Sequence, residues 1–86
     1  MGKYEKFLQR ILGGRSDASI SFSDLCHLIL RFGFEERTSG SHHLFRKTGV
    51  EEKVNLQKDG NEAKPYQVRQ VRKIILKYQL GDEMNG

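Results

Sequence analysis

Several things are scarce in this chain, and each scarcity excludes something. One cysteine in 86 residues rules out an intramolecular disulfide. Cys26 falls in an apolar helical pattern and reads as a small core residue; a reducing compartment fits, so a cytoplasmic location is expected. No apolar run follows the N-terminus or approaches a bilayer's thickness, so neither a signal peptide nor a membrane partner is expected. A zinc site would want spaced Cys or His sets. Here His27 neighbours Cys26 on a helix, where adjacent side chains point apart, and the other two histidines are adjacent to each other. No metal and no cofactor are therefore expected. There is no glycine-rich P-loop, no readable Ser-His-Asp pattern, no internal repeat and no low-complexity tract. The length leaves little room for a second hydrophobic core.

Acid is also missing where base is plentiful. From Lys64 to Lys77 there are five bases (Lys64, Arg69, Arg72, Lys73, Lys77) and no acid. The whole chain carries a formal charge of +4 and a sequence pI near 9.4. Such a balance favours an anionic partner: nucleic acid, an acidic protein or an anionic surface.

The apolar residues that are present have a clear order. Tyr4, Phe7, Leu8, Ile11 and Leu12 mark one face of a helix over Lys3–Leu12, stopped by Gly13-Gly14. Gly13 to Ser19 reads as a linker. A second helix runs from Phe22 to Phe32, capped by Ser21, with Leu25, Leu28, Ile29 and Phe32 as its stripe and Gly33 as its stop. Three short strands follow: Phe34–Arg37, Ser41–Lys47 and Glu52–Leu56. The turns between them hold Thr38-Ser39-Gly40 and Thr48-Gly49. Gln57 to Lys64 reads as a polar loop. Pro65 opens a last helix to about Leu80, with Val68, Val71, Ile75 and Tyr78 inward and Arg69, Lys73 and Lys77 outward. The class is α+β: an α-β-β-β-α core with a three-stranded antiparallel sheet, both helices on one face, and an extra N-terminal helix. The expected division is 1–20 as helix and linker extension, 21–81 as the main domain, and 82–86 as a frayed tail.

The most informative stretch is Gly40-Ser41-His42-His43-Leu44-Phe45-Arg46-Lys47. It sets two histidines at the start of an alternating strand, among cations. RNA cleavage needs a base for the 2′-hydroxyl, an acid for the leaving 5′-oxygen, and positive charge for the developing phosphorane. An imidazole can carry either proton near neutrality, Lys and Arg can supply charge, and no metal is required. Alternation puts His42, Leu44 and Arg46 on one face and His43, Phe45 and Lys47 on the other. Phe45 is the better core residue, which turns His42 and Arg46 outward. The competing arrangement buries Leu44 and exposes His43, which stays the second choice for the proton carrier.

With those residues on the second strand of an α-β-β-β-α unit, the chain resembles the HicA family of toxin–antitoxin toxins. These are small mRNA interferases with a fold like the double-stranded-RNA-binding domain. The resemblance covers Ser21 to about Leu80. It implies that His42, after the Gly40-Ser41 pair, is catalytic, that mRNA is the substrate, and that a HicB-type antitoxin is the protein partner. Two departures stand out. The helix Lys3–Leu12 lies beyond the minimal family domain. The Pro and His that many members carry after the third strand are replaced by Leu56-Gln57-Lys58-Asp59-Gly60.

The expected function is thus a metal-independent RNA endonuclease toxin. Ser41, Arg46, Lys47, Lys64, Arg69, Lys73 and Lys77 are the candidate RNA contacts. The plainer reading of the charges is a solvated surface, and of the histidines two ordinary sheet residues. The rival functions are a non-catalytic RNA-binding module and a module whose basic surface serves only an acidic protein.

Overall fold

The computed structural model describes residues 2–81; the tail expected at 82–86 lies outside them. Its elements are α1 (Lys3–Gly13), a 3-10 turn (Asp17–Ser19), α2 (Phe22–Arg31), β1 (Glu35–Ser39), β2 (His42–Lys47), β3 (Val50–Asp59), β4 (Glu62–Ala63) and α3 (Pro65–Tyr78). The strands form one antiparallel sheet in the order β1-β2-β3-β4. The class is α+β as the patterning predicts, with a fourth short strand added to the expected three.

The core lies between the sheet and the helices. Phe45, Val54 and Leu56 point from β2 and β3 into one cluster with Leu25, Leu28 and Ile29 of α2 and Val68, Val71 and Ile75 of α3. Helices α2 and α3 therefore pack on one sheet face, and α1 joins the same core beside α3 through Leu8 and Ile11. Phe45 is fully buried, and burying a side chain of that size contributes roughly 1.5–3 kcal/mol. The opposite face carries His42, Arg46, Lys53 and Asn55, all exposed.

Local chemistry sets the element ends. The Ser21 hydroxyl oxygen accepts the Asp24 N–H at 3.3 Å and starts α2. The two-residue β1–β2 turn needs a positive φ at its first position, and Gly40 adopts 60° there. Gly33 follows α2 at φ 95°, and a Cβ on it would lie 2.9 Å from Lys47 Nζ. That ammonium donates to the Phe32 carbonyl at 2.7 Å, so it caps the C-terminal end of α2, where a cation is favoured.

Three expectations change. Gln57–Asp59 is not a loop but the end of β3, paired with β4 through Lys58–Ala63 and Asp59–Glu62. Its polar residues lack an apolar alternation because this end of the sheet is an exposed ribbon. Second, Gly13 to Ser19 is more than a linker. The Arg72 guanidinium donates to the Ile11 carbonyl at 3.1 Å and to both Asp17 carboxylate oxygens at 2.9 and 3.0 Å. That hydrogen-bonded guanidinium holds the Asp17 carboxyl below its ordinary pKa, and the carboxylate raises Arg72 in return. With Leu8 and Ile11 buried, α1 is packed onto the same core. Third, α3 stops at Tyr78 rather than near Leu80, and Gln79 caps it in the left-handed conformation (φ 54°).

Candidate nucleic-acid interface

The register of β2 decides what the open sheet face can do. On β1, Ser39 pairs with His42, Arg37 with Leu44 and Glu35 with Arg46. On β3, Gln57 pairs with His42 and Asn55 with Leu44. Arg37 is therefore a diagonal neighbour of both His42 and Arg46, within about 7–8 Å by sheet geometry. A groove at one end of this face is lined by Gly33, Glu35, Arg37, Leu44, Arg46 and Thr48, and Lys47 also borders it. The result is an exposed imidazole on a surface with two arginines, which suits a ribose-phosphate link.

His42 and His43 have different surroundings. The His42 ring is exposed. The His43 ring faces the helices: its Nδ1 is 2.7 Å from Glu36 Oε2, and its ring meets Phe22 edge-on at 5.1 Å between centroids. A carboxylate only accepts, so Nδ1 of His43 carries the proton of that hydrogen bond.

The other candidate contacts separate into groups. Ser41 is exposed in the turn beside His42, and Arg46 is exposed on the same face as His42. Lys47 is committed to the Phe32 carbonyl, which takes its ammonium away from the His42 face. Lys64, half-buried, sits at the start of α3. With the amide of buried Gln67 oriented to satisfy its neighbours, its oxygen accepts from Gln57 N–H at 2.9 Å and its nitrogen donates to Gln57 C=O at 3.2 Å. That pair of bonds seats the first turn of α3 against the part of β3 that faces His42, so Lys64 belongs to the same end of the molecule. Arg69 and Lys73 are exposed on the side of α3 turned away from the sheet. Lys77 is bound to Glu52 Oε2 at 2.9 Å. Glu52 also accepts from the Tyr78 hydroxyl at 2.6 Å. The Tyr78 bond first, then Lys77, holds its carboxyl down to about 2. The basic block is thus not one surface: Arg69 and Lys73 lie on the far side of α3 from His42, whereas Lys64 lies at the His42 end.

Arg37 and Lys53 were not singled out by the sequence. Arg37 shares alternation parity with Glu35, whose charge hides it in a composition count. Lys53 sits between an acid and the apolar Val54, and only the strand face distinguishes it.

With this geometry in place, comparison with protein families is decisive. Residues 22–77 match the family described as the HicA toxin of bacterial toxin–antitoxin systems. The chain belongs to the HicA toxin family. No curated protein and no solved structure matches it. The matched segment runs from α2 into α3 and includes the whole sheet, so the His42 face lies inside the family domain and α1 lies outside it. Membership makes the protein the toxin of a toxin–antitoxin system and gives it an antitoxin partner. Among the described residues no helix is long and apolar enough to cross a membrane.

Proposed function

We propose that this HicA-family chain is an mRNA interferase, an RNA endonuclease in which His42 transfers a proton during phosphodiester cleavage. The observation that carries the proposal is the placement of His42: exposed, on the open sheet face, with Arg46 on its own strand and Arg37 diagonal to it. In the reaction the 2′-oxygen attacks the adjacent phosphorus, the P–O5′ bond breaks, one proton leaves the 2′-hydroxyl and one reaches the departing 5′-oxygen. His42 serves as base or acid in that exchange. Arg46 and Arg37 hold the phosphate and offset charge on the phosphorane. Ser41 flanks the histidine, and Lys64 extends the positive surface toward the backbone of the same RNA. A HicB-type antitoxin would silence the toxin by covering this face.

The test is cleavage of a defined RNA in excess chelator by purified protein and its His42→Ala form. The expected result is 2′,3′-cyclic phosphate ends with the first and none with the second. A folded His42→Ala protein that cleaves normally would remove the assignment.

One observation favours a second reading, a non-catalytic RNA-binding module. Arg69 and Lys73 face away from His42, so they can hold RNA with no help from it. On that reading RNA binds, weakens with salt and stays intact, and Arg69→Ala matters more than His42→Ala.

A further inference from the structure

Cys26, Glu36 and His43 are far apart in sequence and meet in space. Each offers one ligand atom, and the three atoms all lie within 4.8 Å of one another. They come from three elements: Cys26 from the buried side of α2, Glu36 from edge strand β1, and His43 from its neighbour β2. We propose that these three side chains form a site for one zinc ion between α2 and the sheet, separate from the His42 face.

The donor set selects the metal. A thiolate sulfur, an imidazole nitrogen and a carboxylate oxygen are the three ligand types of zinc sites, and sulfur disfavours magnesium and calcium. Thiolate and carboxylate together neutralise the dication. The Glu36–His43 contact of 2.7 Å already aims the ring at the carboxylate, and the edge of Phe22 fixes the ring plane. Bonds of about 2.0–2.3 Å to one ion require the donors, now within 4.8 Å of one another, to close around it by side-chain rotation. Cys26 is only 8% exposed, whereas the side chains of His43 and Glu36 are 27% and 28% exposed. The site is thus closed on the helix side and open at the sheet edge, where a water can take the fourth position. Binding releases the Cys26 thiol proton to solvent, and when the His43 nitrogen facing Glu36 is the ligand, the ring proton passes to Nε2 and the imidazole stays neutral. The ion would pin α2 to the strand whose other face presents His42. His27, next to Cys26 in sequence, is exposed and takes no part.

The test uses the full, untagged chain, stripped with chelator and titrated with Co²⁺ as the probe. The expected result is a single equivalent bound with a near-ultraviolet thiolate-to-cobalt charge-transfer band, bleached by stoichiometric Zn²⁺, and a thermal midpoint raised by Zn²⁺. Cys26→Ser should lose the band. Glu36→Gln and His43→Gln should weaken zinc binding by at least about tenfold, and His27→Ala should leave it unchanged. If the Cys26 variant does not fold, X-ray absorption on the zinc-loaded wild type decides, with one sulfur neighbour expected at about 2.3 Å. A folded wild type without the cobalt–thiolate band, or a zinc shell of nitrogen and oxygen only, would overturn the proposal.

Discussion

Strand β2 carries the same chemistry twice. Its outer face reads His42, Leu44, Arg46, and its inner face reads His43, Phe45, Lys47. Each outer residue has an inner sibling of its own type, one position away. The inner three are all engaged: His43 with Glu36 and Phe22, Phe45 with the core, Lys47 with the end of α2. The outer His42 and Arg46 are exposed. Period-two geometry alone separates an engaged imidazole from an exposed one, because adjacent residues in a strand face opposite ways. Residue type therefore says little about function here, and parity relative to Phe45 says a great deal.

The sharpest way to break that comparison is to exchange the apolar pair. Phe45→Ala should cost about 3–5 kcal/mol in urea unfolding, from lost burial and the cavity left behind. Leu44→Ala should cost under about 1 kcal/mol. Equal losses would mean that the two faces are not distinguished as described.

A similar contrast divides α3. Arg72→Ala removes three hydrogen bonds that hold Ile11 and Asp17, and should lower stability by about 1–3 kcal/mol. Arg69→Ala, on an exposed position, should stay within about 0.5 kcal/mol by the same denaturation measurement. The cationic pair of β2 comes next. Lys47→Met strands the Phe32 carbonyl and should cost about 1 kcal/mol. Arg46→Met should leave stability intact and lower RNA affinity, reducing the salt slope of binding by about 1.

The smallest effect is a pH dependence from Glu52. Its carboxyl is held at about 2 in the folded protein, against an ordinary 4.5, chiefly by the Tyr78 hydroxyl and then by Lys77. The folded form thus binds its proton less readily than the unfolded form. The stabilisation is present above about pH 4.5 and is lost as pH falls toward about 2. Glu52→Gln should flatten that part of the stability–pH curve measured by urea unfolding.

Much of this was legible in the sequence, for identifiable reasons. Helices α2 and α3 declare themselves through 3.6-residue periodicity, the Ser21 cap and Pro65. The outward turn of His42 and Arg46 follows from the bulk of Phe45. What stayed hidden depends on contacts between distant residues. The β3–β4 ribbon looks like a loop because Gln57-Lys58-Asp59 has no apolar face. Arg72 looks like a member of the basic surface until Asp17 is seen beside it, and Lys47 looks like a phosphate ligand until Phe32 is. Cys26, Glu36 and His43 share no motif, because their meeting is a product of packing.

The most direct test of the central claim compares the two histidines. Single-turnover cleavage of one RNA would be measured for wild type, His42→Ala and His43→Ala, at a temperature where circular dichroism shows all three folded. The account predicts a loss of about 10²–10⁴-fold for His42→Ala, the usual contribution of a proton carrier, and a retained rate for His43→Ala. Full activity in His42→Ala together with loss in His43→Ala would contradict it.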